Sequence, residues 1–230
     1  MKQTLSKRLE ELGLPLSEET QNTLCAFGQA VVEQNKVMNL TAITEPAQVA
    51  KLHLLDSLTL LTLEDLKGKR IIDVGCGAGF PGVPVKIACP EAELTLLDSL
   101  GKRMQWLETV LPTLGVDAEC VTARAEEAVA SRRETYDFAT SRAVARLNIL
   151  LELTAPYVKV GGKVLAMKGV AAPEELEEAK NAISKLGLKL EKLAEFSIDG
   201  ATHRVIVLKK VAPTPPKYPR RYAKIKQEPL

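Results

Sequence analysis

The sequence is poor in the residues that build metal sites and disulfide frameworks. Its 230 residues include four cysteines and two histidines, and no Cys-x-x-Cys pair occurs. Structural zinc sites draw several such ligands from short spacings, so we expect no metal. Cys25, Cys76, Cys89 and Cys120 are interpreted as small apolar residues with reduced thiols.

Long apolar runs are also absent. No uninterrupted apolar stretch reaches the roughly 18 residues that a membrane-spanning helix needs. The first residues, Met1 to Arg8, lack the apolar region of a signal peptide. Both absences predict a cytoplasmic protein without a membrane segment. The apolar fraction of 46% is ordinary for a globular chain with a sizeable core.

Charge is small in total but unevenly placed. The net charge is +2, yet residues 209–230 carry seven Lys and Arg against one Glu, a net +6 that leaves −4 for the rest. Tyr218 and Tyr222 lie among these cations, next to or near Lys217, Arg220 and Arg221. Basic residues interleaved with aromatic ones favour a nucleic-acid partner, so we expect these three cations to contact RNA. The alternative is a solvated, disordered terminus.

The chain divides into three segments by pattern. Residues 1–66 show helical spacing and no strand alternation, which predicts a helical segment packed on the core. Residues 67–210 alternate strands and helices, which predicts βαβ crossovers and a mainly parallel sheet. Two late apolar runs predict an antiparallel hairpin on its edge. The proline-rich segment 211–230 is predicted to be extended and to become ordered on binding.

The expected elements follow from that alternation. Strands are predicted at 70–74, 93–98, 117–122, 135–141 and 161–168, and the hairpin at about 189–196 and 203–209. Helices are predicted at 17–36, 45–61, 82–89, 101–114, 124–131, 144–157 and 173–187.

A glycine-rich turn is the most informative local feature. Residues 71–82 read Ile-Ile-Asp-Val-Gly-Cys-Gly-Ala-Gly-Phe-Pro-Gly, a strand that leads into a turn and then a helix. Gly75 and Gly77 would let the backbone approach a ligand closely. The pattern matches a dinucleotide fingerprint, but a pyrophosphate needs free N–H groups, and Pro81 and Pro84 have none. S-adenosylmethionine carries no phosphate and fits better, and Asp73 would suit its ammonium or hydroxyl groups.

Polar residues follow the next two predicted strands. Asp98 lies about 20 residues beyond the turn, where an acid accepts hydrogen bonds from ribose hydroxyls, and this role is favoured. The alternative, which can coexist with it, is a cap for the following helix. Ala125 and Glu126 come after the third strand, where an adenine edge would lie. The alternative for Glu126 is an ordinary acid in a first helical turn.

Basic residues end the fourth and fifth strands. Arg142 faces the region between cofactor and substrate and could hold a carboxylate or phosphate, and Lys168 could hold an RNA phosphate. His53 and Asp56, one helical turn apart, are interpreted as a polar pair against the core, with a role in an active-site lid as the less favoured alternative. His203 is expected to have no special role.

No catalytic residue can be assigned from the sequence. The Asp/Asn-Pro-Pro-aromatic turn typical of enzymes that methylate exocyclic amines is absent. No cysteine is well placed as a nucleophile for methylation of a pyrimidine ring carbon.

The motifs together support one family resemblance. They are Asn39-Leu40-Thr41, His53 to Leu58, Asp73 to Gly82, Leu97-Asp98-Ser99 with Lys102-Arg103, Arg124-Ala125-Glu126, Ser141-Arg142-Ala143, Lys168-Gly169 and Tyr218-Pro219-Arg220-Arg221. In this order, over nearly the whole chain, they resemble the RsmG (glucose-inhibited division protein B) family of ribosomal RNA methyltransferases.

The resemblance implies a Rossmann-like, S-adenosylmethionine-dependent methyltransferase fold. It also implies methyl transfer to N7 of a specific guanine in small-subunit (16S) ribosomal RNA, either as RNA or in the 30S particle, by an enzyme that we expect to be a monomer. The cofactor contacts that it implies are Gly75, Phe80, Ala125, Glu126 and Arg142, to which the turn adds Gly77 and Asp98.

Three alternatives stay open. The same fold could act on a small molecule or another RNA, a dehydrogenase could use the glycine turn, and a non-catalytic module could bind RNA without a cofactor.

Overall fold

A seven-stranded sheet forms the centre of the molecule. The structure is a computed structural model that describes all 230 residues. Its strands are β1 (Arg70–Val74), β2 (Glu93–Asp98), β3 (Glu119–Thr122), β4 (Tyr136–Arg142), β5 (Val158–Lys168), β6 (Leu188–Ile198) and β7 (Ala201–Lys210). They lie in the order β3-β2-β1-β4-β5-β7-β6. The first five run parallel, and β7 pairs antiparallel with both β5 and β6, so the predicted parallel sheet and edge hairpin are confirmed.

Helices flank the sheet and precede it. They are α1 (Lys2–Glu11), α2 (Glu18–Met38), α3 (Pro46–Val49), α4 (Asp56–Leu58), α5 (Gly82–Ala88), α6 (Gly101–Thr113), α7 (Ala125–Ala128), α8 (Leu147–Thr154), α9 (Ala172–Glu178), α10 (Lys180–Lys185) and α11 (Tyr222–Gln227). Helix α1 was not predicted. The start of α2 at Ser17 was predicted, and the structure confirms it. The side chain of Ser17 accepts a hydrogen bond from the Thr20 N–H group, as an N-cap does.

The single helix predicted at 45–61 is wrong in detail. The segment opens as α3, continues as a π-helix over Ala50–Leu55, returns to α4 and ends as a 3₁₀ turn over Thr59–Thr62. A π-helix changes the angular spacing of side chains along the segment, and such turns are frequent at functional sites. Hydropathy spacing does not resolve this change of winding.

The core lies on both faces of the sheet. On one face the N-terminal helices pack against β1 and β2, and the rings of Phe27 and Phe80 lie 5.4 Å apart between centroids. The other face is covered by α8 and its neighbours, with Tyr136 and Tyr157 fully buried. The N-terminal segment therefore shares the core of the sheet and lies directly behind the glycine-rich turn.

Residues 211–230 were predicted to be extended and ordered only on binding, and this prediction is wrong. The segment folds against the sheet and ends in α11, whose Ile225 is fully buried, and Tyr218 is 5% exposed. Proline removes internal N–H donors, so the carbonyl groups of the segment need partners elsewhere. Arg133 supplies them, because its guanidinium donates to the carbonyl oxygens of Thr214, Pro215 and Tyr218.

Two further properties bear on function. No helix combines the length and apolar character that crossing a membrane requires. No group of three or more His, Cys, Asp or Glu side chains is arranged to hold a metal ion.

Candidate functional site

A cleft of about 530 Å³ opens where the carboxyl ends of β1, β2, β3 and β4 meet. This is the edge of an open α/β sheet at which ligands bind, and the volume is that of a small-molecule site. All seven residues predicted to contact a cofactor line this one cleft. They are Gly75, Gly77, Phe80, Asp98, Ala125, Glu126 and Arg142.

The glycine-rich turn forms the floor of the cleft. Gly75 and Gly77 have φ values of 73° and 57°, a backbone region in which side chains are strained. A Cβ atom at residue 75 would lie 2.4 Å from Cγ2 of Val144. Glycine is therefore required there both by conformation and by the loop after β4, which also lines the cleft.

Three consecutive N–H groups of the turn are already used within the protein. Those of Gly75 and Cys76 donate to the carbonyl oxygen of Leu97. The N–H group of Gly77 donates to Oδ2 of Asp98 at 2.9 Å. Phosphate-binding turns work by leaving such groups free to face an anion. This turn instead presents a carboxylate to the cleft, which disfavours a pyrophosphate.

Asp98 does not cap α6 through its side chain, because the N-cap residue of that helix is Leu100 and no side chain forms a capping hydrogen bond there. It is 8% exposed, and its two oxygens accept from the N–H groups of Gly77 and Leu100, at 2.9 and 2.8 Å. A carboxylate offers about four lone-pair positions, so two remain for hydroxyl groups of a ligand. The hydrogen bonds also fix the carboxylate against the turn.

Asp73 does not face the cleft, so its expected contact with a ligand ammonium or hydroxyl group is wrong. The side chain is fully buried beneath the turn, and Oδ2 accepts from the Gly82 N–H group at 2.8 Å. Oδ1 has no hydrogen-bond partner, and burial raises the pKa of Asp73 to about 7. Asp73 holds the start of α5 rather than a ligand.

The opposite end of the cleft is formed by the start of α7. Ala125 and Glu126 lie there with Arg124. The hydroxyl group of Tyr157 donates to the carbonyl oxygen of Ala125 at 2.5 Å, which fixes this short helix to the core. The backbone at residue 125 is therefore positioned rigidly for a ligand edge.

Arg142 is held in place by the π-helix. Its guanidinium donates to the carbonyl oxygen of Leu52 at 2.9 Å and to Oδ2 of Asp56 at 3.1 Å. It also lies over the ring of Phe80, 5.1 Å from the centroid, in a cation–π contact. Arg142 and Phe80, both predicted site residues, therefore form one unit in the cleft wall.

His53 belongs to the same unit and lines the cleft, a position distinct from the role in a lid that the sequence analysis ranked second. Its ring stacks on Phe80 at 4.7 Å, and Nδ1 lies 3.0 Å from Nη2 of Arg142. Nδ1 also lies 3.0 Å from the carbonyl oxygen of Leu52, and Nε2 lies 2.7 Å from the Thr41 hydroxyl. Burial and the charge of Arg142 lower the pKa of His53 to about 4, so the ring is neutral at neutral pH.

His203 was expected to have no special contact, and this expectation is wrong. Its Nδ1 donates to Oδ1 of Asp56 at 2.9 Å, and this hydrogen bond raises the pKa of His203. Asp56 is 5% exposed and thus bridges His203 on the edge hairpin to Arg142 on β4. Sequence alone gave no signal for a contact across 147 positions.

A second cleft of about 800 Å³ adjoins the first. The two share the side chains of His53 and Arg142 and the loop at Ala143 and Val144. The non-glycine residue Ala143 has a φ of 56°, a conformation that clusters at functional sites. Because the loop separates the clefts, a group held in one can meet a group held in the other.

The four remaining predicted RNA contacts differ in how free their charges are. Lys168 lies in the wall of the second cleft, but its ammonium group contacts the carbonyl oxygen of Ala145 and Glu175, and its side chain is 7% exposed. Arg220 makes a bidentate pair with the fully buried Glu152. The positive charges of both side chains therefore already have partners within the protein.

Lys217 and Arg221 remain exposed. Lys217 lies over the ring of Tyr218, 5.3 Å from the centroid, and Arg221 immediately precedes α11. These two cations are the accessible members of the predicted set.

The fold is a Rossmann-like α/β fold, and solved structures share it. TYW2 from M. jannaschii in complex with AdoMet superposes with a TM-score of 0.57 at 13% identity, over 69% of this chain and 76% of that one. TrmN from Thermus thermophilus superposes with a TM-score of 0.55 at 20% identity, over 69% of this chain and 49% of that one. At these identities the similarity concerns the fold.

Sequence relatives narrow this fold to one family. The family model described as GidB, rRNA small subunit methyltransferase G, matches residues 20–205. A relative named ribosomal RNA small subunit methyltransferase G, from Desulfitobacterium hafniense, is 44% identical over 226 residues, which cover 96% of this chain and 94% of that protein. One of the same name from Alkaliphilus oremlandii is 43% identical over 238 residues, which cover 100% and 99%. The chain belongs to this family, and the predicted resemblance is confirmed.

Proposed function

We propose that the protein transfers the methyl group of S-adenosylmethionine to N7 of a specific guanine in small-subunit ribosomal RNA. Membership of the methyltransferase family and the names of the relatives support the reaction and the substrate class. The glycine-rich turn is the observation that supports this cofactor. Its N–H groups at residues 75–77 bond within the protein, and its neighbour Asp98 faces the cleft.

The cleft fits a cofactor without phosphate groups. Asp98 can accept from ribose hydroxyls, and Ala125 and Glu126 can meet the adenine. Gly75, Gly77 and Phe80 line the middle of the cleft, and Arg142 closes the end beside β4. When bound, S-adenosylmethionine supplies a methyl group on a sulfonium, which needs no further activation by the protein.

Guanine N7 explains why the cleft needs no general base. At neutral pH this nitrogen carries a free lone pair, so no proton has to leave before it attacks. The remaining task of the protein is alignment, which can contribute about 7–11 kcal/mol to lowering a barrier. Arg142 and His53, fixed to Asp56 and Phe80, provide a rigid wall between the two clefts for this purpose.

The second cleft and the tail are suited to the RNA. Arg142 lines both clefts, and Lys217 and Arg221 are exposed on the C-terminal segment. Lys168 and Arg220 belong to the same proposed set, although their internal pairs make phosphate contact less favourable. We infer that the protein acts as a monomer and methylates the small subunit in the cytoplasm.

Methyl transfer to defined RNA tests the proposal. Purified protein is incubated with labelled S-adenosylmethionine and either 30S particles lacking the modification or the naked 16S transcript, and the product nucleotide is mapped by mass spectrometry. We expect 7-methylguanosine at one position. Incorporation into neither RNA, or methylation at another atom, contradicts the assignment. Small-molecule methyl acceptors in parallel reactions test the alternative on the same fold.

A further inference from the structure

The C-terminal segment reaches the cofactor cleft through one aromatic side chain. Tyr222, the first residue of α11, lines the cleft together with Arg124, Ala125 and Glu126. It is the member of the cleft wall that comes from beyond β7. A residue added by the tail thus completes a site that is otherwise built by the sheet.

Tyr222 also forms part of a second wall. A neighbouring depression between the tail and α7 is bounded by Arg124 and Glu126 on one side and by Arg221 and Tyr222 on the other. Since the same three residues, Arg124, Glu126 and Tyr222, border both spaces, the tyrosine lies at the partition between them. Its position is therefore at the β3 end of the cleft.

The tail is anchored firmly on both sides of Tyr222. Before it, Arg220 makes a bidentate pair with the buried Glu152, and its backbone N–H group donates to the same carboxylate at 2.8 Å. After it, Ile225 is fully buried. These contacts hold α11 against the protein, so Tyr222 is positioned before any ligand arrives.

The strand order indicates which part of the cofactor meets this tyrosine. Across β3, β2, β1 and β4 the cleft presents Ala125 and Glu126, then Asp98, then the glycine turn, then Arg142. With the ribose at Asp98 and the methionine portion toward Arg142, the adenine lies at the β3 end. An aromatic ring there can stack on the base.

We propose that the ring of Tyr222 contacts the adenine of the bound cofactor and closes that end of the cleft. The C-terminal segment then serves cofactor binding as well as RNA. This inference rests on the proposed use of S-adenosylmethionine. A role in cofactor binding also explains why this basic segment, suited to RNA, packs against the rest of the protein instead of extending into solvent.

Calorimetry on the full-length protein tests the inference without requiring RNA. Binding of S-adenosylmethionine and of 5′-methylthioadenosine, which keeps the adenine but lacks the amino-acid portion, is measured for wild type, Tyr222→Ala, Tyr222→Phe and Lys226→Ala. Lys226 is an exposed residue of the same helix and is the matched control. Thermal unfolding of each variant shows that all are folded at the temperature of the titration.

The expected results separate a ring contact from a structural role. Tyr222→Ala raises the Kd for both ligands about tenfold, which corresponds to about 1.4 kcal/mol. Tyr222→Phe and Lys226→Ala stay within about twofold of wild type. Unchanged binding by Tyr222→Ala, or equal losses in Tyr222→Phe, overturns the inference alone. An unchanged Kd for 5′-methylthioadenosine in Tyr222→Ala does the same. If wild type binds neither ligand, the proposed function fails with it.

Discussion

At the scale of single residues, Gly75 carries the clearest steric constraint in the site. A Cβ atom there meets Val144 at 2.4 Å, and the φ of 73° adds backbone strain. Gly115 has a similar φ of 66° but nothing within 4 Å of an added Cβ. We expect both alanine variants to lose roughly 1–3 kcal/mol of stability from strain, whereas only Gly75→Ala, by displacing Val144, weakens S-adenosylmethionine binding about tenfold or more.

Calorimetry and denaturant unfolding of the two variants check this prediction. Gly115→Ala reports the cost of a positive φ alone, so the difference between the variants isolates the cleft. Equal cofactor affinity in Gly75→Ala and Gly115→Ala would show that Val144 is free to move and that the turn does not shape the ligand site.

The pKa values of the two histidines are predicted to shift in opposite directions from the ordinary value of about 6.5. His53 stays neutral down to about pH 4 because of burial and Arg142, and the pKa of His203 lies above 6.5 because of Asp56. NMR titration resolves both, since the chain has only two histidines. A His203→Gln variant assigns the signals, and Asp56→Asn should move the remaining His203 transition down toward 6.5.

The sign of the pH effect on stability follows from the raised pKa of His203. A group whose folded pKa exceeds its unfolded pKa stabilises the fold fully below the unfolded value and loses that contribution as the pH rises through the folded value. The stability difference between wild type and His203→Gln should therefore be largest below about pH 6.5 and shrink at higher pH. A difference that grows with pH would rule out a charged His203–Asp56 pair.

At the scale of elements, the tail contains one structural arginine beside one free arginine. Arg220 pairs with Glu152, which is fully buried, while the neighbouring Arg221 is exposed. Removing one partner of a buried ion pair leaves an uncompensated charge and costs about 3–5 kcal/mol. We expect Arg220→Ala to lower the free energy of unfolding by that amount and Arg221→Ala to change it by less than about 0.5 kcal/mol.

Urea unfolding of the two variants gives the measurement. The pair differs by one position along the chain, so composition and net charge are matched. A similar small effect for both would mean that Glu152 finds another partner, and it would weaken the view of the tail as a fixed part of the fold.

The sheet was predictable because its signals are local. Strands β1, β2 and β4 are short runs rich in apolar residues, and the alternation of strands with helices indicates the parallel order. The tail was mispredicted because its order depends on contacts with Arg133 and Glu152, which lie far away in the sequence. The π-helix was missed because helical spacing tolerates one extra residue in a turn.

The residues of the candidate site likewise fall into those that the sequence could predict and those that it could not. Gly75, Gly77 and Asp98 follow strand ends, so their place beside one cleft could be predicted from topology. The link from Asp56 to His203 and the place of Tyr222 depend on how distant segments pack, and no local pattern encodes either contact.

At the scale of the whole molecule, the packed tail changes how the RNA substrate should be tested. Deleting 211–230 would remove the Arg220–Glu152 pair, the buried Ile225 and a wall of the cofactor cleft together. Loss of activity after such a deletion could not separate a missing RNA contact from a damaged fold. Substitution of exposed cations keeps the fold and removes only charge.

The charge asymmetry then predicts a measurable salt dependence. The logarithm of the RNA association constant falls linearly with the logarithm of salt concentration. Each phosphate that a variant no longer neutralises makes that fall shallower, by about 0.7 for single-stranded RNA and by about 0.9 for duplex RNA treated by analogy with DNA. We expect a Lys217→Ala, Arg221→Ala double variant to make this slope shallower by about 1.4–1.8 while its affinity for S-adenosylmethionine stays unchanged. Lys67 and Lys159, at the amino ends of β1 and β5, are 69% and 50% exposed on the opposite edge of the sheet. Alanine substitution of both removes the same charge without changing the slope, because RNA held at the carboxyl edge does not reach them. Equal slopes for the two double variants would mean that RNA responds to net charge alone and that the tail is not its binding surface.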